Sequence, residues 1–485
     1  MSSIDLIVFI GYLLGTLFLS VIFFSKKRTS KSFTLGSGRT PQWVVTLSIF
    51  ATFVSSISYL ALPGSAYGSN WNAFVFSLSI PVAVLITVRY FIPVYRKINS
   101  SSAYTYMEQR FGPWAKIYVS LCYLSTQLMR VGTIIYLLAL AVNMILGWDM
   151  VTVIIFTGAF VTAYSIIGGI EAVLWTDAIQ GIVLILGAIF CVGILILGMP
   201  EGTSQLFEIA QEDHKFSLGD FGVSITESTF WVVFIYGIFI NLQNFGIDQN
   251  YIQRYMVSSS DTSAKKSAFY GGILYLPVSA VFLFIGTALY AYYKVNSGLP
   301  GNLINAPDKV FPHFIVTELP HGVSGLLIAS IFAAGMSTIS TSFNSASTVL
   351  LSDYFKKNTT EKQKLWFLYI STFTICLISI SIALVMIDVR NILDVWWKYA
   401  SILSGGMLGL FLLGIFSNLK SNMHAIIGLF VGILAIVVMT LYTTIFPNSE
   451  PFAHSYLTTV VGTLAIFLSG ILLYFLREKN RKLKK

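Results

Sequence analysis

Ala333-Ala334-Gly335-Met336-Ser337-Thr338-Ile339-Ser340-Thr341-Ser342-Phe343-Asn344-Ser345 sits inside the run 322–352, which holds no charged residue. About 20 apolar residues suffice to cross ~30 Å of hydrocarbon, so the run reads as a membrane-spanning helix. Within it Ser337, Ser340, Thr341, Asn344, Ser345 and Thr348 recur at i, i+3, i+4, i+7, i+8 and i+11. That spacing lays them along one continuous helical face. A hydroxyl stripe in lipid either glues helix to helix or presents neutral oxygens to a ligand. With no His or Cys among them, those oxygens suit an alkali cation and not a transition metal.

The rest of the chain has the same character. Of 485 residues, 55% are apolar and 11% charged, against about 25% charged in a soluble domain; mean hydropathy is +0.77. These proportions exclude a disordered chain, a coiled coil and a secreted disulfide scaffold. They make this an all-α polytopic membrane protein. Thirteen runs are long enough to span: 6–24, 45–67, 72–95, 117–147, 151–169, 176–198, 229–252, 268–293, 322–352, 366–387, 396–417, 423–446 and 456–476. The first has no basic residue before it and no small-residue cleavage site before Lys26, so it reads as a retained helix. Cys122, Cys191 and Cys376 all fall in such runs and read as small hydrophobes. The longest outer stretches, 199–228 and 294–321, carry Leu206, Phe207, Val310 and Phe311 and are expected to pack as lids over the membrane part.

The net charge of +9 invites a nucleic-acid reading until the basic residues are placed. Twenty-four of the 30 lysines and arginines fall on one set of alternate segments and four on the other. Basic residues collect on the cytoplasmic side. Thirteen spans then put the N-terminus outside and the C-terminus in the cytoplasm, and the charge is a topology signal. Arg254 counts here among the loop cations with Lys265 and Lys266, which leaves Arg130 as the sole basic residue near the membrane midplane.

Polar chemistry at membrane depth is costly and marks function. Arg130, in the middle of 117–147, is always charged and offers a planar donor fork matched to a carboxylate. It either pairs with a carboxylate or the carbonyls of a broken helix, or it clamps a carboxylate ligand. In 45–67, Phe50-Ala51-Thr52-Phe53-Val54-Ser55-Ser56-Ile57-Ser58-Tyr59 followed by Pro63-Gly64 marks a helix that unwinds in its middle; otherwise its serines back-bond to their own helix. Unwound backbone survives in a membrane only where it lines a cavity. There the carbonyls closing one half-helix face a cation, and the N–H groups opening the other face an anion. Asp177, at the start of 176–198, is either a solvated capping residue or a carboxylate inside the membrane. Asn241, Gln243, Asn244, Gly246 and Asp248 mark a second interrupted helix in 229–252, and Ser401, Ser404, Gly405 and Gly406 a point of flexure in 396–417. The histidines form no ligand spacing, and no phosphate-binding glycine loop occurs. An enzyme and an ATP-driven pump therefore lack sequence support.

Three motifs carry a resemblance. Gly168-Gly169-Ile170-Glu171-Ala172-Val173-Leu174-Trp175-Thr176-Asp177 resembles the central signature of the sodium:solute symporter family. Ser102-Ala103-Tyr104-Thr105-Tyr106-Met107-Glu108-Gln109-Arg110-Phe111-Gly112 resembles its inner-loop motif, and Asn344-Ser345-Ala346-Ser347-Thr348 with Ser352-Asp353-Tyr354, where the striped span ends, resembles its sodium-helix signature. Phe50–Tyr59 together with Arg130 looks most like the sialic-acid transporters of that family.

The resemblance implies a single transporter domain, 1–485, with a LeuT-type core of two inverted five-helix repeats, 45–198 and 229–417. One extra helix, 6–24, precedes them and two, 423–476, follow. It implies sodium as coupling ion, sialic acid as substrate, the lipid bilayer as surroundings, and neither nucleic acid nor an obligatory protein partner. One sodium site would use the backbone oxygens of Ala51, Val54 and Ala334 with the hydroxyls of Ser337 and Thr338. A second would use Asp177, Ser337, Ser340 and Thr341. The substrate pocket would involve Phe53, Ser55, Ser58, Ser77 and Arg130, although Phe53 stands where a hydroxyl is the pattern and Ser77 where an amide is. The expected function is sodium-driven import of sialic acid into a bacterial-type cell, two sodium ions per substrate. A symporter for another carboxylate, such as proline or pantothenate, is the alternative that Arg130 equally fits. A transporter-like sensor would need a signalling domain after the last span, where only a few residues follow.

Overall fold

Backbone amides in hydrocarbon have no water to bond, so a chain of this composition must satisfy them within helices or a closed barrel. The computed structural model describes residues 2–22, 29–98, 100–296, 299–303, 306–355, 359–388, 405–417, 422–446 and 452–483. Among these every regular element is a helix. In chain order the main helices are α1 (Ser3–Ile22), α2 (Gln42–Phe53), α3 (Ser56–Gly68), α4 (Asn72–Arg96), α5 (Pro113–Leu146), α6 (Met150–Leu197), α7 (Phe230–Ile247), α8 (Gln249–Val257) and α9 (Asp261–Val295). They continue with α10 (Val323–Tyr354), α11 (Glu361–Val385), α12 (Gly405–Phe416), α13 (Asn422–Ile445) and α14 (Leu457–Leu483). Ten of the described helices are long and apolar enough to cross a membrane, eleven when α2 and α3 are taken as one bent span.

Two features separate that count from the thirteen runs of the sequence. Runs 151–169 and 176–198 fall in one 48-residue helical stretch, α6, whose two helices meet at a kink at Gly169. At 1.5 Å per residue its 48 residues make ~72 Å of helix, enough for two crossings of a hydrocarbon core. It changes direction at Gly169, whose φ of 64° and ψ of −160° interrupt an otherwise helical path. Only glycine adopts that conformation readily, and a Cβ there would also meet the Phe33 ring at 3.0 Å. The second feature is that run 396–417 is described only from Gly405; Lys398, Ser401 and Ser404 lie outside the described residues.

The hydroxyl-striped helix α10 is the axis of the molecule. Every residue from Leu327 to Val349 is buried, and α10 packs against α1, α2, α5, α6 and α11. Its small side chains permit that close approach on all sides. The stretches 199–228 and 294–321 hold short helices, Thr203–Glu212 against α9 and Pro307–Thr317 against α3 and α5. Leu206, Val310 and Phe311 are their buried anchors, while Phe207 stays exposed.

Candidate functional site

Two helix breaks meet near the centre of the bundle. Between α2 and α3 the chain is extended at Val54 (φ −76°, ψ 116°) and Ser55 (φ −111°, ψ 169°), and the two halves are bent by 54°. A β-branched residue followed by serine favours this departure, since neither side chain gains from continuing the helix. Pro63, by contrast, stays inside α3. The second break lies between α7 and α8 at Asp248 (φ −77°, ψ 124°), whose carboxylate accepts the Asn250 N–H at 2.7 Å. An aspartate in that position satisfies an orphan donor of the new helix and fixes where it starts.

Both breaks border a cavity of about 260 Å³. Phe53, Ser55 and Ser58 line one side, Arg130 and Gln127 of α5 another, and Gln243, Asn244 and Asp248 a third. Arg130 sits there half-buried, with Nη1 3.6 Å from Asp248 Oδ2. That exceeds hydrogen-bond length, so an ion pair holds the side chain while its donor fork remains available to the cavity. Phe53 supplies an aromatic floor: its ring stacks on Phe245 at 5.2 Å between centroids and meets the Tyr275 ring edge-on at 4.5 Å. Of the five residues expected in the pocket, four border the cavity. Ser77 does not; it is buried, and its neighbour Phe76 lines the cavity instead.

Below the α2–α3 break, Ala51, Val54, Ala334, Ser337 and Thr338 are all buried. Because α2 ends at Phe53, its final carbonyls lack helical partners except Phe50 O, which receives the Val54 N–H at 3.1 Å. On the facing helix the Thr338 hydroxyl donates to Ala334 O at 3.2 Å. Ser337 donates instead to Asp177 Oδ1 at 2.7 Å, joining this cluster to the next.

That next cluster holds the main departure from the sequence reading. Asp177 is fully buried and is not a solvated cap. Thr341 donates to its Oδ2 at 3.3 Å and Ser48 to the same oxygen at 2.7 Å. Ser340 is a neighbour but not a partner, since it donates to Ser337 O at 3.1 Å. The counter-charge is Arg254, expected in a cytoplasmic loop and found with its side chain fully buried on α8. Its Nη2 lies 2.6 Å from Asp177 Oδ2 and 2.6 Å from Thr341 Oγ1, its Nε donates to Ser48 Oγ at 2.8 Å and its Nη1 to Asn250 O at 2.5 Å. Arg130 is thus not the sole basic residue inside the bundle. A buried carboxylate requires such a partner, and that requirement was the available signal for Arg254. The two sites are linked: Asn250, one turn before Arg254, donates to Gln127 Oε1 at 3.0 Å, and Gln127 donates to Asp248 at 3.4 Å.

The chain is similar to several known transporters. It is 34% identical to the sodium/sialic acid symporter SiaT of Proteus mirabilis, over 96% of this chain and 94% of that protein. It is 31% identical to the sodium/sialic acid symporter NanT of Aliivibrio fischeri, over 97% and 93%. A solved structure of a Na+-coupled sialic acid symporter in a substrate-bound outward-open state matches with a TM-score of 0.88 at 30% identity, covering 97% of each chain. Mhp1, a nucleobase-cation-symport-1 family transporter, matches with a TM-score of 0.54 at 15% identity over 94% of this chain and 97% of its own, a likeness of fold alone. The model of the sodium:solute symporter family matches residues 33–432, and with these broken helices around a central cavity the chain belongs to that family.

Proposed function

We propose that the protein is a sodium-coupled symporter that imports sialic acid by alternating access. The observation that carries this reading is Arg130, whose donor fork borders a central cavity between two helix breaks and stands 3.6 Å from Asp248, beyond hydrogen-bond length. A sugar acid brings one carboxylate for that fork, and Ser55, Ser58, Gln127 and Asn244 supply polar groups for its hydroxyls and amide. The relatives named for sialic acid at more than 30% identity favour it over other carboxylates.

In this reading the protein has thirteen transmembrane helices, α6 counting as two on either side of Gly169 and α12 as the visible part of another. Residues 45–198 and 229–417 form two inverted repeats, 6–24 precedes them and 423–476 follows. The two breaks support the division, because each falls in the first helix of its repeat. The N-terminus lies outside a bacterial inner membrane and the C-terminus in the cytoplasm, as the basic residues direct.

One sodium ion takes the backbone oxygens of Ala51, Val54 and Ala334 with Ser337 and Thr338, and binds the α2–α3 break to α10. A second takes Asp177, Ser337, Ser340 and Thr341. Sodium and substrate favour the same arrangement of the break, so each tightens the other by an equal factor. The test is uptake by proteoliposomes with labelled sialate, proline and pantothenate, in sodium and in potassium. Sodium-dependent uptake of sialate supports the proposal; uptake of another carboxylate in its place, or indifference to sodium, overturns it.

A further inference from the structure

Asp177 is a fully buried carboxylate, and in a sodium-coupled cycle what neutralises it must change. With ions bound, the proposed second sodium lies on it. After release, an empty transporter must reorient with none. A bare carboxylate in this position would oppose that step, because removing one partner from a buried pair leaves an uncompensated charge.

Arg254 already stands where the compensation is needed. Its Nη2 touches both Asp177 Oδ2 and Thr341 Oγ1 at 2.6 Å, two ligands of the proposed second sodium site. Ser337, a third, is held on the other carboxylate oxygen at 2.7 Å. Both cations would claim Asp177 and Thr341 at close quarters, so as like charges each weakens the other's hold there. A guanidinium is suited to the task because it cannot lose its proton in the bundle interior. It also sits on α8, which begins at Asp248 beside Arg130, with the Asn250–Gln127 bond between them.

We propose that Arg254 is a tethered cation that replaces the second sodium on Asp177 in the empty transporter and thereby permits its ion-free return. This rests on the two-sodium symport reading above. Sodium arriving at Asp177 displaces the guanidinium, and sodium leaving lets it back; no charge of Arg254 crosses the membrane.

The test separates two modes in proteoliposomes. Net sodium-driven uptake of sialate requires the empty return. Exchange of labelled for unlabelled sialate, with saturating sodium and sialate on both sides, does not. In Arg254→Gln, net uptake falls by about tenfold or more while exchange stays within about twofold, and sodium half-saturation moves to lower concentration because its competitor is gone. Arg254→Lys, which keeps the charge without the fork, retains an intermediate ratio of net uptake to exchange. Equal loss of both modes, or unchanged net uptake in Arg254→Gln, overturns the proposal. If Arg254→Gln fails to fold, the same ratio in Arg254→Lys decides: a ratio below that of the unmodified protein supports the proposal and an unchanged ratio overturns it. Absence of any sodium-driven uptake by the unmodified protein would instead remove the symport reading on which this stands.

Discussion

Arg130 of α5 and Asp248 at the α7–α8 break form an ion pair in the wall of the central cavity, Nη1 to Oδ2 at 3.6 Å. The pair is close enough to hold both side chains in place and too long to consume the donors of the guanidinium. An incoming carboxylate can therefore engage the fork without first breaking a strong hydrogen bond. Substituting Arg130 by Ala should weaken sialate binding at least ~30-fold, the effect of truncating one member of a buried charge pair. Arg130→Lys should recover little, since an ammonium cannot present the bidentate geometry. Calorimetric titration of the purified protein measures both, and near-normal binding by a well-folded Arg130→Ala protein would end the assignment.

Coupling is read at Thr338. Its hydroxyl now bonds back to Ala334 O, so its loss leaves no buried donor stranded and tests the ion site more than the fold. Thr338→Ala should weaken sodium and sialate together, by a factor of about 5 or more in each. Binding of sialate measured across a sodium series, with potassium as control, checks it. A change in sodium affinity with sialate affinity and its sodium dependence both untouched would contradict the linkage.

Stoichiometry follows from charge. Sialate carries one negative charge, so a cycle with one sodium is electroneutral and a cycle with two moves one positive charge inward. Each such charge gains about 2.3 kcal/mol per 100 mV of interior-negative potential. A potassium–valinomycin potential should therefore accelerate uptake, and Thr341→Ala should lower the sodium Hill coefficient toward one. Asp177→Asn should do the same but also strands Arg254, so Thr341→Ala is the cleaner variant. Uptake indifferent to voltage would rule out the second coupled ion.

Gly169 allows a stability measurement independent of transport. Its φ of 64° with ψ of −160° costs a side-chain-bearing residue about 1–3 kcal/mol, and the Phe33 ring is already 3.0 Å from the added methyl. Gly169→Ala should lower the melting temperature in detergent by several degrees. An unchanged melting curve would mean that α6 can straighten there without penalty.

Composition and periodicity alone determined that this chain lives in a bilayer, where its helices run, that α10 is polar along one buried face, and that the α2 and α7 segments are interrupted. These are local properties: hydrocarbon punishes every unpaired amide and every charge, so the sequence must declare its departures openly. Arg130 was legible for the same reason, as a charge in the middle of an apolar run. The tertiary structure decided what periodicity does not encode. It turned Phe76 instead of Ser77 toward the cavity, set the two halves of α6 at a kink at Gly169, and drew Arg254 out of the supposed loop and onto Asp177, 77 residues away in the chain. A basic residue at the end of an apolar run looks the same in sequence whether it reaches water or turns inward. Its direction depends on which buried carboxylate the packing of distant helices brings within reach, and that is a property of the assembled bundle.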